Sequence, residues 1–283
     1  MPNDGRPPSM DFLRENAVLH LHRFFESIDI SWRELPTSVQ ARLEKLARET
    51  EIANDEEQAV RYADQLRNVL TPSELKLVKQ ATVFTDIGKT GPLGETRREE
   101  DLITRIYKID ANFNPGQLTL VDFLARFYPR HVAEDVITLQ QMGIDTHANM
   151  RTFFNMHAEW TLELLSQTSL PDDVIIAAAN HHFLEGVHPG EMVRSDGTVK
   201  FRSTERSIDE REIFVILLDK YDARIRRGGV NHEQAIEWLT SFVNTNETLK
   251  KFPETLRGQF LTCIQQLNDA LGQLISLTAL AAK

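Results

Sequence analysis

The chain has 283 residues, of which 41% are apolar and 26% are charged, and its formal net charge is −10. This composition is typical of a globular protein, and the acidic balance argues against the broad basic surface of a DNA-binding protein. The single cysteine, Cys263, cannot form an internal disulfide, no signal-peptide pattern opens the chain, and no apolar run approaches the ~20 residues of a membrane span. These features predict a cytoplasmic protein that binds neither DNA nor a membrane. A phosphate-bearing ligand would have to meet a local group of cations or a metal ion.

Hydrophobic periodicity predicts a chain that is almost entirely helical, and therefore an all-α fold. Residues 1–9 are predicted to be a disordered tail. Helical patterns follow at residues 10–28, 39–50, from 54 or 55 onward, 72–83, 119–127, 131–142, 146–167, 171–186, 208–226, 231–243 and from 253 onward. Thr71 and Glu74 have the spacing of a capping box before the fourth of these helices. The helical pattern weakens in residues 91–117, which contain several turn formers, and residues 186–207 are predicted to form an exposed loop.

These elements divide the chain into an N-terminal helical segment (10–50), a main domain (51–250) that carries an insertion (92–145), and a long C-terminal helix (251–283). The apolar faces of the two terminal segments need a partner, which is either the main domain or a second subunit. A homodimer is therefore an open alternative. The insertion lies between two segments that carry candidate metal ligands, and it is predicted to form a lid or a wall over their site.

Five side chains of the types that bind first-row metals lie in separate segments of the chain, namely Asp86, His157, the adjacent pair His181 and His182, and Asp219. A lone histidine in an apolar helix, such as His157, is often a satisfied core residue. Asp219 follows six apolar residues and needs as its partner either a metal or a lysine or arginine. His181 and His182 are adjacent, so on a helix their side chains would diverge by about 100°. They could serve one cluster either by flanking it or by lying where the helix frays.

In this order, the fragments resemble the HD superfamily of metal-dependent phosphohydrolases, and within it the HD-GYP branch, over residues 51–243. The family's His-Asp-Ile-Gly-Lys signature is similar to Thr85-Asp86-Ile87-Gly88-Lys89, its next histidine to His157, and its histidine pair to His181-His182. Its late aspartate motif is similar to Asp219-Lys220-Tyr221-Asp222-Ala223, and residues 231–235 resemble the helix start that follows it. The resemblance implies an HD-type helical bundle with extra N-terminal helices and a long C-terminal helix.

The chain departs from the family pattern at three motifs. Thr85 stands in place of the signature histidine, and a neutral threonine is a poor metal ligand. The leading Glu-x-x-x-His motif is Glu51-Ile52-Ala53-Asn54-Asp55 here, so Asp55 and, more weakly, Glu51 are the replacement ligands. The Gly-Tyr-Pro motif is Gly186-Val187-His188-Pro189. His188 is then an exposed loop residue, a substitute ligand or a phosphate contact.

The motif residues can be assigned to two neighbouring metal sites, and the two sites are not expected to be equally complete. One metal site is well formed, since the family's ligands for it match Asp86, His157, His181 and His182. The neighbouring site depends on Asp219, with Asp55 as a replacement, and is expected to be weak, altered or absent. The resemblance implies a divalent transition metal, with Fe or Mn preferred.

The resemblance implies a phosphodiesterase that acts on cyclic di-GMP or a related cyclic dinucleotide, with reduced turnover. Asp86 and Lys89 are the expected catalytic residues, and the expected phosphate contacts are Lys89 and the arginines Arg224, Arg226 or Arg227. One alternative is a degenerate member that binds a metal and a nucleotide, or a signalling partner, without turnover. Another is an HD phosphohydrolase of a different nucleotide. A purely structural role of the histidines as core residues is the remaining alternative.

Overall fold

The computed structural model describes residues 10–109 and 113–281, and side chains from 16 to 272 within these ranges. The predicted tail, residues 1–9, lies outside them, as do the last two residues of the C-terminal helical segment. The described chain is an all-α bundle, which confirms the predicted fold class. Its α-helices in chain order are α1 (Met10–Ser27), α2 (Thr37–Glu49), α3 (Ile52–Ala63), α4 (Pro72–Thr82), α5 (Arg97–Tyr107), α6 (Leu120–Phe127), α7 (Val132–Gln141), α8 (Met150–Leu165), α9 (Asp172–Ala179), α10 (Glu210–Gly228), α11 (His232–Thr245) and α12 (Glu254–Ala281).

Local capping signals position several of these helices. The predicted capping box of Thr71 and Glu74 opens α4, with Pro72 as its first residue. Thr96 and Glu99 form a second capping box at the start of α5. The expectation of a weak helical pattern in residues 91–117 was therefore wrong for residues 97–107. Thr96 and Glu99 have the same Thr-x-x-Glu spacing in the sequence, but the turn formers around them obscured the helical pattern.

The expected loop at residues 186–207 contains a short antiparallel hairpin of β1 (Thr198–Phe201) and β2 (Thr204–Ser207). The side chain of Val199 in β1 is buried. Alternation of buried and exposed residues over four positions is too short a pattern to distinguish from a loop. The prediction of a wholly irregular exposed loop was therefore wrong.

Two hydrophobic clusters organise the bundle. The larger one joins helices α1–α4 with α9–α12, and its fully buried members include Phe25, Phe84 and Phe214. The smaller one is built from the predicted insertion and the adjoining half of α8, with Phe123 and Phe153 fully buried at its centre. The insertion thus has an apolar core of its own, which packs against the helix that carries His157.

The terminal helical segments pack on this same chain. Arg42 of α2 is buried, and its guanidinium donates to the carbonyl oxygens of Thr90, Gly91 and Pro92 over 2.6–3.0 Å. On α12, the apolar face is buried as far as its described side chains extend, through Leu256, Phe260, Ile264, Leu267 and Leu271. The side chain of Leu274 lies outside the described set. Of the two partners considered for these faces, the main domain covers the described residues.

Within the described residues, the helices are too short or too polar to cross a lipid bilayer.

Candidate metal centre

The histidine pair lies just beyond the end of a helix. Helix α9 ends at Ala179, and residues Asn180–Glu185 continue as a tighter 3-10 turn in which His182 leaves helical geometry, with φ −94° and ψ 17°. The rings of His181 and His182 come to lie 4.3 Å apart, centroid to centroid, at 77° to each other. Of the two arrangements considered for this pair, the frayed helix end is the one observed. The prediction that a single helix runs to about residue 186 was wrong.

His157 and His181 face each other with their Nε2 atoms 2.8 Å apart. The Nδ1 atom of His157 donates to the carbonyl oxygen of Phe154, and Nδ1 of His181 donates to that of Ala178 over 2.7 Å. A carbonyl can only accept, so each Nδ1 carries a proton. With Nδ1 protonated, Nε2 is the atom through which each ring can bind a metal ion, and the two Nε2 atoms point at each other. A backbone carbonyl that holds Nδ1–H is also the usual arrangement of a metal-binding histidine.

His182 completes a group of three imidazoles. Potential ligand atoms of His157, His181 and His182 all lie within 4.8 Å of one another, so the cluster could hold a metal ion. Nδ1 of His182 is buried and has no hydrogen-bond partner among the described residues. Burial and neighbouring imidazoles lower the pKa of His181 to about 3, and burial together with Lys220 lowers the pKa of His182 well below its usual value. Both rings are therefore neutral at physiological pH, as metal binding requires.

Asp86 adds a carboxylate to this cluster. It lies directly before the 3-10 turn Ile87–Thr90, and its Oδ1 is 3.2 Å from Nε2 of His157. Its Oδ2 accepts from the ammonium group of Lys89. Burial alone would raise the pKa of Asp86, but Lys89 and His157 together hold it well below its usual value. The cluster therefore combines three imidazoles, of which those of His181 and His182 are neutral, with an ionised carboxylate.

Gly88 explains how Asp86 reaches His157. A Cβ atom at Gly88 would lie 2.0 Å from the carbonyl oxygen of His157 and 2.7 Å from the amide nitrogen of Thr161. The backbone N–H of Gly88 donates to the hydroxyl of Thr161, which in turn donates to the carbonyl oxygen of Thr85. The turn that carries Asp86 is thus held directly against α8, at a distance that only glycine permits.

Asp219 lies beside the histidines but already has a cationic partner. Its Oδ2 accepts from Lys220 over 2.7 Å, and Lys220 also pairs with Glu185 at 2.8 Å. Burial alone would raise the pKa of Asp219, but Lys220 and His181 outweigh this effect and lower it. The structure thus realises the lysine alternative for Asp219, while His181 remains close enough to influence its charge.

A cavity of about 410 Å³ opens above the cluster, within the range of small-molecule sites. Its floor includes Asp86, His157, His182 and Asp219. Four cationic side chains line it, namely Lys89, Arg151, Lys220 and Arg227, and its apolar wall consists of Tyr107, Ile109, Phe113, Pro115 and Phe154. Residues of the predicted insertion therefore form one wall of the site. The Tyr107 hydroxyl donates to the carbonyl oxygen of Phe153 over 3.0 Å, which fixes its ring edge-on to His157.

A second, much smaller cavity of about 20 Å³ lies on the other side of Asp86 and Asp219, which line both spaces. Here Thr85 is bonded to a buried glutamate, since its hydroxyl lies 2.9 Å from Oε1 of Glu56. The amide N–H of Asp86 donates to the same oxygen over 3.0 Å. Burial and the charge of Asp86 raise the pKa of Glu56 well above its usual value. Thr85, which stands in place of the signature histidine, thus donates its hydroxyl hydrogen bond to Glu56 of α3.

Asp55 lines this smaller cavity and is paired with an arginine. Its Oδ2 lies 3.0 Å from Nη1 of Arg226, whose Nη2 donates to Asp222 over 2.9 Å. Burial, partly opposed by Arg226, raises the pKa of Asp55 to about 6. Of the two residues considered for the altered second site, Asp55 is therefore beside Asp86. Glu51 is not, because its exposed side chain accepts from Asn54 at the start of α3.

Helix periodicity places the arginines of α10 on different faces of the helix. Asp219, Ala223 and Arg227 are four residues apart and line the large cavity. Asp222 and Arg226 line only the small one, which Asp219 and Arg227 also reach. Arg224 faces neither, since its guanidinium lies 5.0 Å from the centroid of the Trp238 ring. The structure therefore brings Arg227, and not Arg224, to the large cavity, and Arg227 stays the expected phosphate contact.

His188 also lies away from both cavities. Its ring packs edge-on against Phe183 and Phe252, with centroids 5.2 Å and 5.9 Å away, and burial lowers its pKa. It is half-buried, so the exposed-loop interpretation was wrong, and the structure does not bring it to the metal cluster or the cavity.

Several site residues were missed in the sequence. Glu56 carried a usable signal, because it falls on the buried face of α3 between Ile52 and Val60, where a carboxylate interrupts an apolar stripe. Lys220 and Glu185 offered no such signal. Their pairing depends on how α10 packs against the turn after α9, which local sequence does not specify.

Comparisons of the chain with protein-family models, with curated proteins and with solved structures each found no match. The resemblance to the HD superfamily thus depends on the order of its motif residues, and family membership stays a prediction. The structure itself establishes an all-α protein in which three histidines and an aspartate converge at a cation-lined cavity.

Proposed function

We propose that the protein is a metal-dependent phosphodiesterase that acts on a cyclic dinucleotide such as cyclic di-GMP. The observation that carries this proposal is the convergence of the Nε2 atoms of His157 and His181, 2.8 Å apart, beside the carboxylate of Asp86. Both rings have Nδ1 bonded to a backbone carbonyl, so each could bind a metal ion through Nε2. A divalent metal held there would lower the pKa of a bound water and polarise a phosphoryl oxygen, which is the chemistry of phosphodiester hydrolysis.

The cavity above the donors supports a phosphate-bearing ligand. Lys89, Arg151, Lys220 and Arg227 line it in a chain whose net charge is −10. Such a local concentration of cations in an acidic protein favours an anion at this place. Lys89 is paired with Asp86, so binding of a cation by Asp86 would free the ammonium group to meet a phosphate. Lys89 and Arg227 are the residues expected to orient the scissile group.

The aromatic wall supports a nucleotide rather than a simple phosphate. Tyr107, Phe113 and Phe154 present rings to the same cavity as the cations. Aromatic faces bind nucleobases by stacking, which contributes about 1–3 kcal/mol per base. The wall would also limit access of bulk water to the reacting bond. Since imidazole and carboxylate donors occur together, Fe or Mn is the expected metal.

Binding without turnover is the second candidate, and one observation favours it. On the side of Asp86 away from the histidines, Thr85 is bonded to Glu56 and Asp55 is paired with Arg226. A two-metal centre clamps both the attacking and the leaving oxygen, so a centre reduced to one metal loses part of that stabilisation. It would still attract a phosphate through the metal and the lining cations.

Turnover of cyclic di-GMP by protein loaded anaerobically with Mn²⁺ or Fe²⁺ separates the two candidates. We expect hydrolysis that falls at least a hundredfold in His157→Gln, because the Nε2 donor is displaced. His147→Gln is the matched control, since His147 is exposed and lines neither cavity. Tight binding of the dinucleotide without product would support the second candidate. Equal turnover by wild type and His157→Gln would refute the proposal.

A further inference from the structure

Carboxylates crowd the small cavity on the side of Asp86 away from the histidines. Asp55, Glu56, Asp86, Asp219 and Asp222 all line this space of about 20 Å³. Glu56 and Asp222 are buried residues, and the side chains of Asp55 and Asp86 are only 19% and 13% exposed. Carboxyl groups this close together need protons or positive charge, because buried like charges repel strongly in a medium of low dielectric constant.

Arg226 supplies positive charge at the centre of this group. Its guanidinium reaches Asp55 with Nη1 at 3.0 Å, and it reaches Asp222 with Nε at 3.1 Å and Nη2 at 2.9 Å. It therefore bridges two carboxylates that come from different helices, α3 and α10. A cation that bridges carboxylates of separate elements beside Asp86 occupies the role that a second metal ion would have in a two-metal centre.

The space that remains is small. A volume of about 20 Å³ accommodates about one water molecule, for which ~10–15 Å³ is needed. A hard divalent ion such as Mn²⁺ prefers oxygen ligands, and Asp55 and Asp222 are two of the residues that could provide them here. Both of their carboxylates are already bound to the guanidinium. A metal ion at this place would have to displace a fixed positive charge from its two partners.

We propose that the guanidinium of Arg226 takes the place of a second metal ion, so that the centre holds a single metal at the histidine cluster. The inference rests on the proposed function to the extent that the histidine cluster binds the first ion. Arg226 neutralises the carboxylates as a second ion would, but a guanidinium carries no exchangeable ligand water to activate. The carboxylates are thereby neutralised as they would be in a two-metal site. Only one position, the metal at the histidine cluster, can activate a water molecule.

Metal content after reconstitution with Mn²⁺ tests this proposal. We expect one Mn²⁺ per chain in wild type and in Arg226→Lys, which retains the positive charge. Arg226→Ala frees Asp55 and Asp222 and enlarges the space, so we expect two Mn²⁺ per chain. Electron paramagnetic resonance should then change from the signal of isolated Mn²⁺ to that of a spin-coupled pair. Adding Asp55→Ala to Arg226→Ala should return the content to one.

The outcomes separate this inference from the proposed function. Two Mn²⁺ in wild type, or one in Arg226→Ala, would overturn the inference and leave the phosphodiesterase proposal in place. The expected metal contents without hydrolysis of cyclic di-GMP would leave the inference in place and remove the proposed activity. A complete absence of Mn²⁺ from every variant would overturn both. Circular dichroism of each variant confirms that the compared proteins are folded.

Discussion

The groups on the two sides of Asp86 differ in where their compensating positive charge would come from. On the histidine side, three imidazoles and the carboxylate of Asp86 lie close enough together to hold a metal ion. On the carboxylate side, acidic groups surround the built-in cation of Arg226. Among the described residues, no lysine or arginine is hydrogen-bonded to the three histidine rings, whereas Arg226 is already paired with Asp55 and Asp222. Proximity of potential ligands is therefore a weaker indication of a metal than the absence of a competing cation.

The largest expected effect concerns the contact that holds Asp86 on the histidine side. In Gly88→Ala the new methyl group would clash with the backbone of His157, so the turn must move away from α8. We expect a loss of at least ~2 kcal/mol in the free energy of unfolding, the range of overpacked sites, and loss of tight metal binding. Calorimetric titration with Mn²⁺ and urea unfolding measure the two effects.

Gly258→Ala is the matched control for this substitution. Gly258 lies in α12, and an added Cβ would have no atom within 4 Å. Alanine there should stabilise the helix by up to ~1 kcal/mol and leave Mn²⁺ binding unchanged. If Gly88→Ala behaves like Gly258→Ala, the close packing of this turn is not what positions Asp86.

The metal-free protein should show opposite pH dependences on the two sides. The pKa of His181 is about 3 in the fold and 6.5 when unfolded, so between these values the unfolded chain binds more protons. This contribution to stability is present above pH 6.5 and is lost as the pH falls, by up to ~1.4 kcal/mol per pH unit. Urea unfolding in the presence of a chelator should show this slope in wild type, and His181→Gln should reduce it. An unchanged slope in the variant would mean that His181 is charged in the fold.

Asp55 should make the free energy of unfolding depend on pH with the opposite sign and a smaller slope. Its pKa is about 6 in the fold and 3.8 when unfolded, so between these values the folded protein binds more protons. The stabilisation is present below pH 3.8 and is lost as the pH rises through 6. Relative to wild type, Asp55→Asn should therefore gain stability between pH 4 and pH 7. A constant stability difference over this range would contradict the assigned environment of Asp55.

The smallest expected effect distinguishes two arginines of one helix. Arg227 lines the large cavity, whereas Arg224 lies over Trp238. We expect Arg227→Ala to weaken phosphate-ligand binding about tenfold, as for the loss of one charged hydrogen bond. Arg224→Ala should leave that affinity unchanged and cost about 0.5–1 kcal/mol of stability through the lost cation–π contact. Equal effects of both variants on ligand affinity would remove Arg227 from the site.

Much of the fold was predictable because its determinants are local. The capping box of Thr71 and Glu74 and the apolar stripes of the helices depend on residues three or four positions apart, and the sequence displays these directly. The irregular connections were less predictable. The hairpin at residues 198–207 is too short for its pattern to stand out, and α5 was hidden among turn formers.

For the site, the sequence by itself determined which residues carry metal-binding chemistry, since Asp86, His157, His181 and His182 were chosen by type and order. Only the tertiary structure decided how they meet. The histidine pair converges because α9 ends at Ala179, and Asp86 reaches His157 because Gly88 allows the turn to touch α8. Packing between helices likewise determines whether the carboxylates of the second site are free to bind a metal ion or are paired with an arginine. Charge compensation depends on which side chains face each other across elements, and no spacing along the chain encodes that Arg226 of α10 meets Asp55 of α3.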